Sequence, residues 1–332
     1  MQVFRACPPM DPRHCIPTLD DIRDAAARIA PHAQVTPVLR SRSLDALAGC
    51  ELHFKAEHLQ RIGAFKFRGA CNAVFGLDDA TAARGVVTQS SGNHGAAIAL
   101  ACRLRGIPAH VVVPRSAARI KLAAIRDFGA RIVPCEVAQA DRDRVTAQVQ
   151  ADTGAELIHP FNDGRVIAGQ ATATLELMQQ APDLDLVIAP VSGGGLLSGT
   201  TLAAKALRPG IEVWGAEPEQ AADAFESLRQ GRRVTDITPD TICDGLRACL
   251  GPLTYEILSR RLDGIQLADE AGIVAAMRLL WERLKQVVEP SGAVVMAAIL
   301  AAPDRFRGKR VGVILSGGNV DLDAVPWMPT RS

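Results

Sequence analysis

Short apolar runs rich in valine and isoleucine alternate with longer stretches of helical periodicity along most of this chain. Residues 85–88, 110–113, 131–133, 184–191, 212–216 and 310–315 have the length and composition of buried strands, and 52–56 adds a shorter one. Between them, 95–105, 118–128 and 142–153 read as helices, the last two closed by Gly129 and Gly154. Pro114 is expected to end the strand before it. Thr18, followed by Leu19-Asp20-Asp21-Ile22, reads as an N-cap with acids in the first turn of a helix reaching about Ala30. Strands apolar on both faces and separated by helices predict an α/β fold with parallel sheets covered on both sides. Two such open sheets would hold a ligand in the cleft between them. Residues 1–17 carry four prolines and no long apolar run, so they read as a loose tail, neither signal peptide nor membrane span.

At 332 residues the chain has room for two domains. Its net charge of +1 gives no electrostatic case for nucleic acid or an anionic membrane. The eight cysteines are scattered without zinc spacing, which suits free thiols in a reducing, cytoplasmic setting. Arginine outnumbers lysine 31 to 6, so each lysine can be weighed singly. Lys66 stands out. In Gly63-Ala64-Phe65-Lys66-Phe67-Arg68-Gly69 it follows a glycine turn, lies between two aromatics and opens a helix. A lysine in an apolar site loses solvation of its charged form, its pKa falls, and the neutral amine can form a Schiff base with an aldehyde. An ordinary lysine at a helix start would share the local pattern.

Three glycine turns each stand directly after a strand. Ser192-Gly193-Gly194-Gly195-Leu196 opens a helix, where converging N–H groups and the helix N-terminus favour a phosphate. The spacing fits neither a dinucleotide fingerprint nor a Walker loop, so a small monophosphate suits it better. Ser316 begins the turn Ser316-Gly317-Gly318-Asn319 at a strand's carboxyl end and could bond a ring nitrogen. Ser90-Ser91-Gly92-Asn93-His94 offers hydroxyls, an N–H and an amide, a set suited to a carboxylate and without the partners of a hydrolase triad.

Taken in order, G-A-F-K-F-R-G-A, S-S-G-N-H-G, S-G-G-G-L and L-S-G-G-N-V-D resemble the fold type II (tryptophan synthase β-like) pyridoxal-phosphate enzymes, most nearly the serine racemase and serine/threonine dehydratase branch. The resemblance runs from about Pro17 to Asp321. It implies two α/β domains with the cofactor between them: a large one from 1–78 and 158–332, and a small substrate-loop domain from 79–157. It implies that Lys66 carries pyridoxal 5'-phosphate and serves as the base for the substrate Cα proton, that Phe65 flanks the ring, and that Asn93 bonds its 3-hydroxyl. Gly193, Gly194, Gly195 and Leu196 would hold the phosphate, Ser316 would face the ring nitrogen, and Gly245 would line the cofactor. Ser90, Ser91, Gly92 and His94 would bind the substrate. Glu217, Asp223 and the Ala221 carbonyl would bind a divalent cation (Mg²⁺, Mn²⁺ or Ca²⁺), since oxygen ligands suit these ions. A homodimer is the family expectation.

The implied activity is that of a dehydratase, an ammonia-lyase acting on L-serine, L-threonine or threo-3-hydroxyaspartate. A neutral hydroxyl at Ser316 leaves the ring a weaker electron sink, which favours elimination. Ser91, on the face opposite Lys66, would permit racemisation, so an amino-acid racemase with dehydratase side activity stands as the alternative. Retention of Lys66 argues against a noncatalytic cofactor-binding protein, and S-S-G-N-H-G departs from the asparagine loop of cysteine synthases. Arg61 and Ala96 stand where nucleotide-activated relatives have Lys and Gln, so nucleotide activation is not expected. Nor is a C-terminal regulatory domain.

Overall fold

The computed structural model describes residues 11–90, 92–115 and 119–327. Among them ten strands form two sheets: β1 (Val38–Leu39), β2 (Glu51–Lys55), β3 (Val86–Gln89), β4 (Ala109–Pro114), β5 (Arg131–Cys135), β6 (Glu156–Leu157), β7 (Leu186–Pro190), β8 (Glu212–Pro218), β9 (Gly264–Ala268) and β10 (Arg310–Ile314). The larger sheet has the order β1-β2-β10-β7-β8-β9 and the smaller β5-β4-β3-β6. Every neighbouring pair is parallel except β1 with β2. Parallel strands need cover on both faces, and the sequence supplies it: all five residues of β7 are buried, as are Val311, Val313 and Ile314 of β10.

The strand order places the chemistry. Strand β10 lies between β2 and β7, so three carboxyl ends come side by side at the point where the order of strands breaks. From the end of β2 the chain runs to Lys66, from β7 to the triple glycine and from β10 to Ser316. In the smaller sheet, β3 ends one residue before Ser90. The helix Lys66–Phe75 bridges the two sheets, giving Phe67, Ala70, Cys71 and Val74 to the core beneath β3 and β4 while its first turn is bonded to the exit of β10. The helix Gly164–Gln180 is almost wholly buried beneath it.

Several local expectations shift. Strand β5 runs on through Pro134, which is tolerated because β5 is an edge strand and one ladder donor can be spared there. Pro114 is the last residue of β4 rather than its stop. The helix after β3 starts at Asn93, before Gly95. The loose tail is a correction for residues 11–17. Gly164 N donates to the Arg13 carbonyl at 2.9 Å, and Arg13 pairs with Asp11 and Glu156. A Cβ on Gly164 would lie 2.4 Å from the Pro12 and Cys15 carbonyl oxygens, so this segment is docked on the helix start. Residues 1–10 lie outside the described part. No helix among the described residues is long and apolar enough to cross a membrane.

Candidate active site

The turn before Lys66 is built from backbone bonds. Gly63 N donates to the Gln60 carbonyl at 2.9 Å, and the Gln60 side chain accepts from Arg61 N. Ala64 forms an isolated bridge with Gly317, and Phe65 N donates to the Ser316 carbonyl at 3.0 Å. Lys66 therefore starts its helix against the exit of β10. Its Nζ donates to the Pro160 carbonyl at 3.1 Å and lies 5.1 Å from the centre of the Phe65 ring. The side chain reaches the cleft surface, yet the walls strip water from the ammonium, and this desolvation lowers its pKa to about 8. Phe65 packs against the core cluster that includes Val191 and Leu196, the residues on either side of the triple-glycine turn.

That turn is tight on every side. Gly194 has φ +89°, and the helix Gly195–Leu207 follows directly. A Cβ on Gly193 would fall 2.4 Å from the Phe161 ring, and one on Gly194 would fall 2.7 Å from Thr254. Thr254 Oγ1 donates to the Gly193 carbonyl at 2.7 Å. Ser192 Oγ donates to the Ala248 carbonyl and accepts from Ala248 N, each at 3.1 Å, so the serine braces the loop from behind. The N–H groups at this helix start have no acceptor within the helix and point out with its positive end.

The Ser90 loop meets this site from the smaller sheet. Gly92 N donates to Ser90 Oγ at 3.3 Å. Asn93 Nδ2 donates to Glu289 at 3.1 Å, and Asn93 Oδ1 accepts from Asn319 Nδ2 at 2.8 Å. His94 is buried, and neither ring nitrogen completes a hydrogen bond of good geometry. Desolvation, with Lys66 and His159 close by, holds its imidazole neutral against a weak opposing pull from the Ile158 carbonyl. Ser91 lies outside the described residues. Ser316 is buried one residue beyond Leu315, and Gly245 N donates to Ser291 Oγ at 3.0 Å, at the start of the helix Pro290–Ala301.

Two residues that sequence reasoning missed belong here. Glu289, the N-cap of that helix, accepts from Asn319 N at 3.0 Å as well as from Asn93. A glutamate before Pro-Ser-Gly at a helix start was the available signal. His159 Nδ1 accepts from Phe161 N at 3.3 Å and Asn162 N at 3.0 Å, which puts its proton on Nε2. Desolvation lowers the His159 pKa to about 4, so the ring is neutral.

Glu217 and Asp223 sit at the carboxyl end of β8 and the start of the helix Asp223–Gln230. Both are buried. Glu217 accepts from Ala224 N at 2.9 Å and Phe225 N at 2.8 Å, and Asp223 from Leu250 N at 3.0 Å. Among the described residues neither forms an ion pair with Lys, Arg or His. Desolvation, then the neighbouring Asp223, pushes Glu217 well up, and desolvation raises Asp223 to about 7. Ionised together, such a pair would call for a cation; protonated, it would not. Leu250 also packs against Gly194, so this site adjoins the triple-glycine turn.

A desolvated amine, a glycine cradle closed to side chains, and a helix N-terminus together fit a small phosphorylated aldehyde. The comparisons agree. The family described as "Pyridoxal-phosphate dependent enzyme" matches residues 29–317. The β-hydroxyaspartate dehydratase of Paracoccus denitrificans is 50% identical over 312 residues, covering 94% of this chain and 99% of that one. The serine racemase of Oryza sativa subsp. indica is 48% identical over 316 residues, covering 93% and 92%. The solved structure of maize serine racemase superposes with a TM-score of 0.89 at 47% identity, covering 92% of this chain and 94% of that one.

Proposed function

As the chain belongs to the pyridoxal-phosphate dependent enzymes, we propose that it is a dehydratase acting on a β-hydroxy amino acid. The β-hydroxyl leaves as water, one water is taken up, and the products are ammonia and a 2-oxo acid. The observation that carries this reading is the Lys66 amine, desolvated to a pKa of about 8, on a helix start whose preceding residue, Phe65, is bonded to Ser316 and packs against the core cluster that flanks the triple-glycine turn. When bound, pyridoxal 5'-phosphate supplies an aldehyde for this amine and a ring that draws electron density from the substrate Cα.

The protein's own groups divide the remaining work. Lys66 Nζ takes the Cα proton, since a pKa of about 8 leaves roughly a tenth of free amines neutral at pH 7. Backbone N–H groups of Gly193, Gly194, Gly195 and Leu196 hold the phosphate. The Asn93 amide has two N–H donors; one faces Glu289 and the other serves the 3-hydroxyl. Phe65 and Gly245 would line the ring, and the Ser316 hydroxyl would face its nitrogen without protonating it, which would favour loss of the β-hydroxyl. Ser90, Ser91, Gly92 and the neutral His94 receive the substrate carboxylate. The Paracoccus relative makes 3-hydroxyaspartate the first substrate to try, with L-serine and L-threonine beside it.

Borohydride reduction and peptide mapping test the attachment, and a panel of β-hydroxy amino acids read as 2-oxo acid tests the reaction. Label on a lysine other than Lys66 overturns the first, and no 2-oxo acid from any member overturns the second. The serine racemases among the relatives support a second reading, an amino-acid racemase. It needs a proton donor on the face opposite Lys66, the part given to Ser91. Ser91→Ala then suppresses D-isomer formation by about 10²–10⁴-fold while elimination persists. Equal loss of both activities with cofactor retained removes Ser91 from that part.

We further assign Mg²⁺, Mn²⁺ or Ca²⁺ to the carboxylates of Glu217 and Asp223 with the Ala221 carbonyl. The buried carboxyls, without an ion-pair partner among the described residues, support this assignment. The division into 1–78 with 158–332 and 79–157, a homodimer and a cytoplasmic setting belong to the same reading. Light scattering tests the dimer.

A further inference from the structure

Ile62 stands at φ 60°, ψ 10°, four residues before Lys66. A β-branched residue in this left-handed region crowds its following carbonyl, and such strain persists only where surrounding contacts over-determine it. Gly63 follows at φ 70°, so the turn holds two consecutive left-handed residues. Among the described residues one side chain hydrogen-bonds to its backbone. Asn319 Nδ2 donates to the Ile62 carbonyl at 2.8 Å and to Asn93 Oδ1 at 2.8 Å.

The polarity of these bonds is dictated from one end. The Asn319 backbone N–H and Asn93 Nδ2 both donate to the Glu289 carboxyl group, so Asn93 turns its NH₂ toward Glu289. Its Oδ1 is thereby left facing Asn319, which must answer with its own NH₂. The second hydrogen of that NH₂ is the one the Ile62 carbonyl receives. The Asn319 backbone N–H donates to the same Glu289 carboxylate at 3.0 Å, which fixes the residue at its other end. Gly63 permits the approach, since a Cβ there would lie 2.5 Å from Asn319 Oδ1. Gly318 N closes the junction by donating to the Gly63 carbonyl at 2.9 Å.

We propose that Asn319 is a positioning residue that holds the Ile62–Gly63 turn in its strained form and ties it to Asn93. Lys66 and Asn93, which reach the site from different sheets, are thereby set by one chain of hydrogen bonds starting at Glu289. The inference rests on Lys66 as the attachment point, which borohydride mapping of the wild-type protein checks separately.

The test is a double-mutant cycle. Asn319→Asp keeps the size of the side chain and removes both donors, and Asn319→Ala removes them without adding charge. Each is made in the wild-type background and in Ile62→Asn, because asparagine adopts the left-handed region with little penalty. In the wild-type background each Asn319 variant should lower kcat about tenfold or more with KM changed less than about threefold. In the Ile62→Asn background most of that loss should disappear. An independent readout uses protein stripped of cofactor: acetylation of Lys66 against pH, followed by mass spectrometry, gives the amine's pKa. The value should move away from about 8 in the Asn319 variants and return in the doubles. Equal loss in both backgrounds, or Lys66 acetylation unchanged by Asn319 replacement, overturns the proposal. Should one Asn319 variant fail to fold by circular dichroism, the other decides.

Discussion

Lys55 and Lys66 lie eleven residues apart, and desolvation lowers the pKa of both. Their surroundings differ in one respect. Lys55 Nζ donates to Glu176 at 2.6 Å, to the Thr36 carbonyl at 2.7 Å and to Gln180 at 2.9 Å, and Glu176 partly opposes the fall in pKa. Arg68 continues that network, pairing with Glu57 and Glu176 at 2.7 Å each while fully buried. Among the described residues Lys66 Nζ hydrogen-bonds only to the Pro160 carbonyl. A buried cation with carboxylate partners is a fastener between elements. A desolvated cation without them is suited to the part of base proposed for Lys66. Burial alone does not separate the two; partner chemistry does.

The sharpest way to break this contrast is to remove each cation. Lys66→Ala should lower turnover by about 10⁴-fold without loss of folding stability, since it removes the proton-transfer group and no ion pair. A melting temperature that collapsed with the activity would make Lys66 structural as well. The reciprocal change, Arg68→Met, leaves Glu57 buried without its partner. It should cost about 3–5 kcal/mol in urea unfolding. A cost under about 1 kcal/mol would mean that the network is dispensable.

The carboxyls of Glu217 and Asp223 invert the case: both are buried with raised pKa values, and neither has a protein cation among the described residues. Chelation should lower the melting temperature, and Mg²⁺ or Mn²⁺ at a hundred times its Kd should restore about 2.7 kcal/mol. Glu217→Ala should abolish the response. An unchanged melting curve in chelator, with no metal by elemental analysis, would return the pair to protonated carboxyls.

The smallest effect is a pH signature of Lys66 in the cofactor-free protein. Its folded pKa of about 8 lies below the ordinary 10.5, so between these values the unfolded chain binds more protons than the folded one. Stability from this group therefore rises with pH across that window and is penalised below it. Lys66→Met should be more stable than wild type at pH 7, and the advantage should fade as pH climbs from 8 to 10.5. An advantage independent of pH would show that the ammonium is not desolvated.

What could be read from the sequence was what short, local geometry encodes. Lys66 after a glycine turn, three glycines after an apolar strand and Ser316 at a strand end all announce themselves within a few residues. The partners that decide their chemistry do not. Glu289 meets Asn93 across 196 positions, and Glu176 meets Arg68 across 108. A proline at the first helical position, as at Pro290, is compatible with a helix start but says nothing about which loop the cap will hold. Lys55 fell in a strand pattern, and only the packing of the helix Gly164–Gln180 reveals that its ammonium is buried against Glu176. The docked segment 11–17 was missed for the same reason: its anchor is a glycine some 150 residues away.

The Phe161 ring lies so close to Gly193 that a side chain there would meet it at 2.4 Å, which narrows the shapes open to the turn. The same glycine is clasped by Thr254. A pocket already cast before its guest arrives has no ordering step to complete on binding, so the entropy of arranging those N–H groups is settled when the chain folds. Uptake of cofactor by the emptied protein should then follow collision rather than rearrangement, with a rate that climbs in proportion to cofactor concentration and shows no plateau.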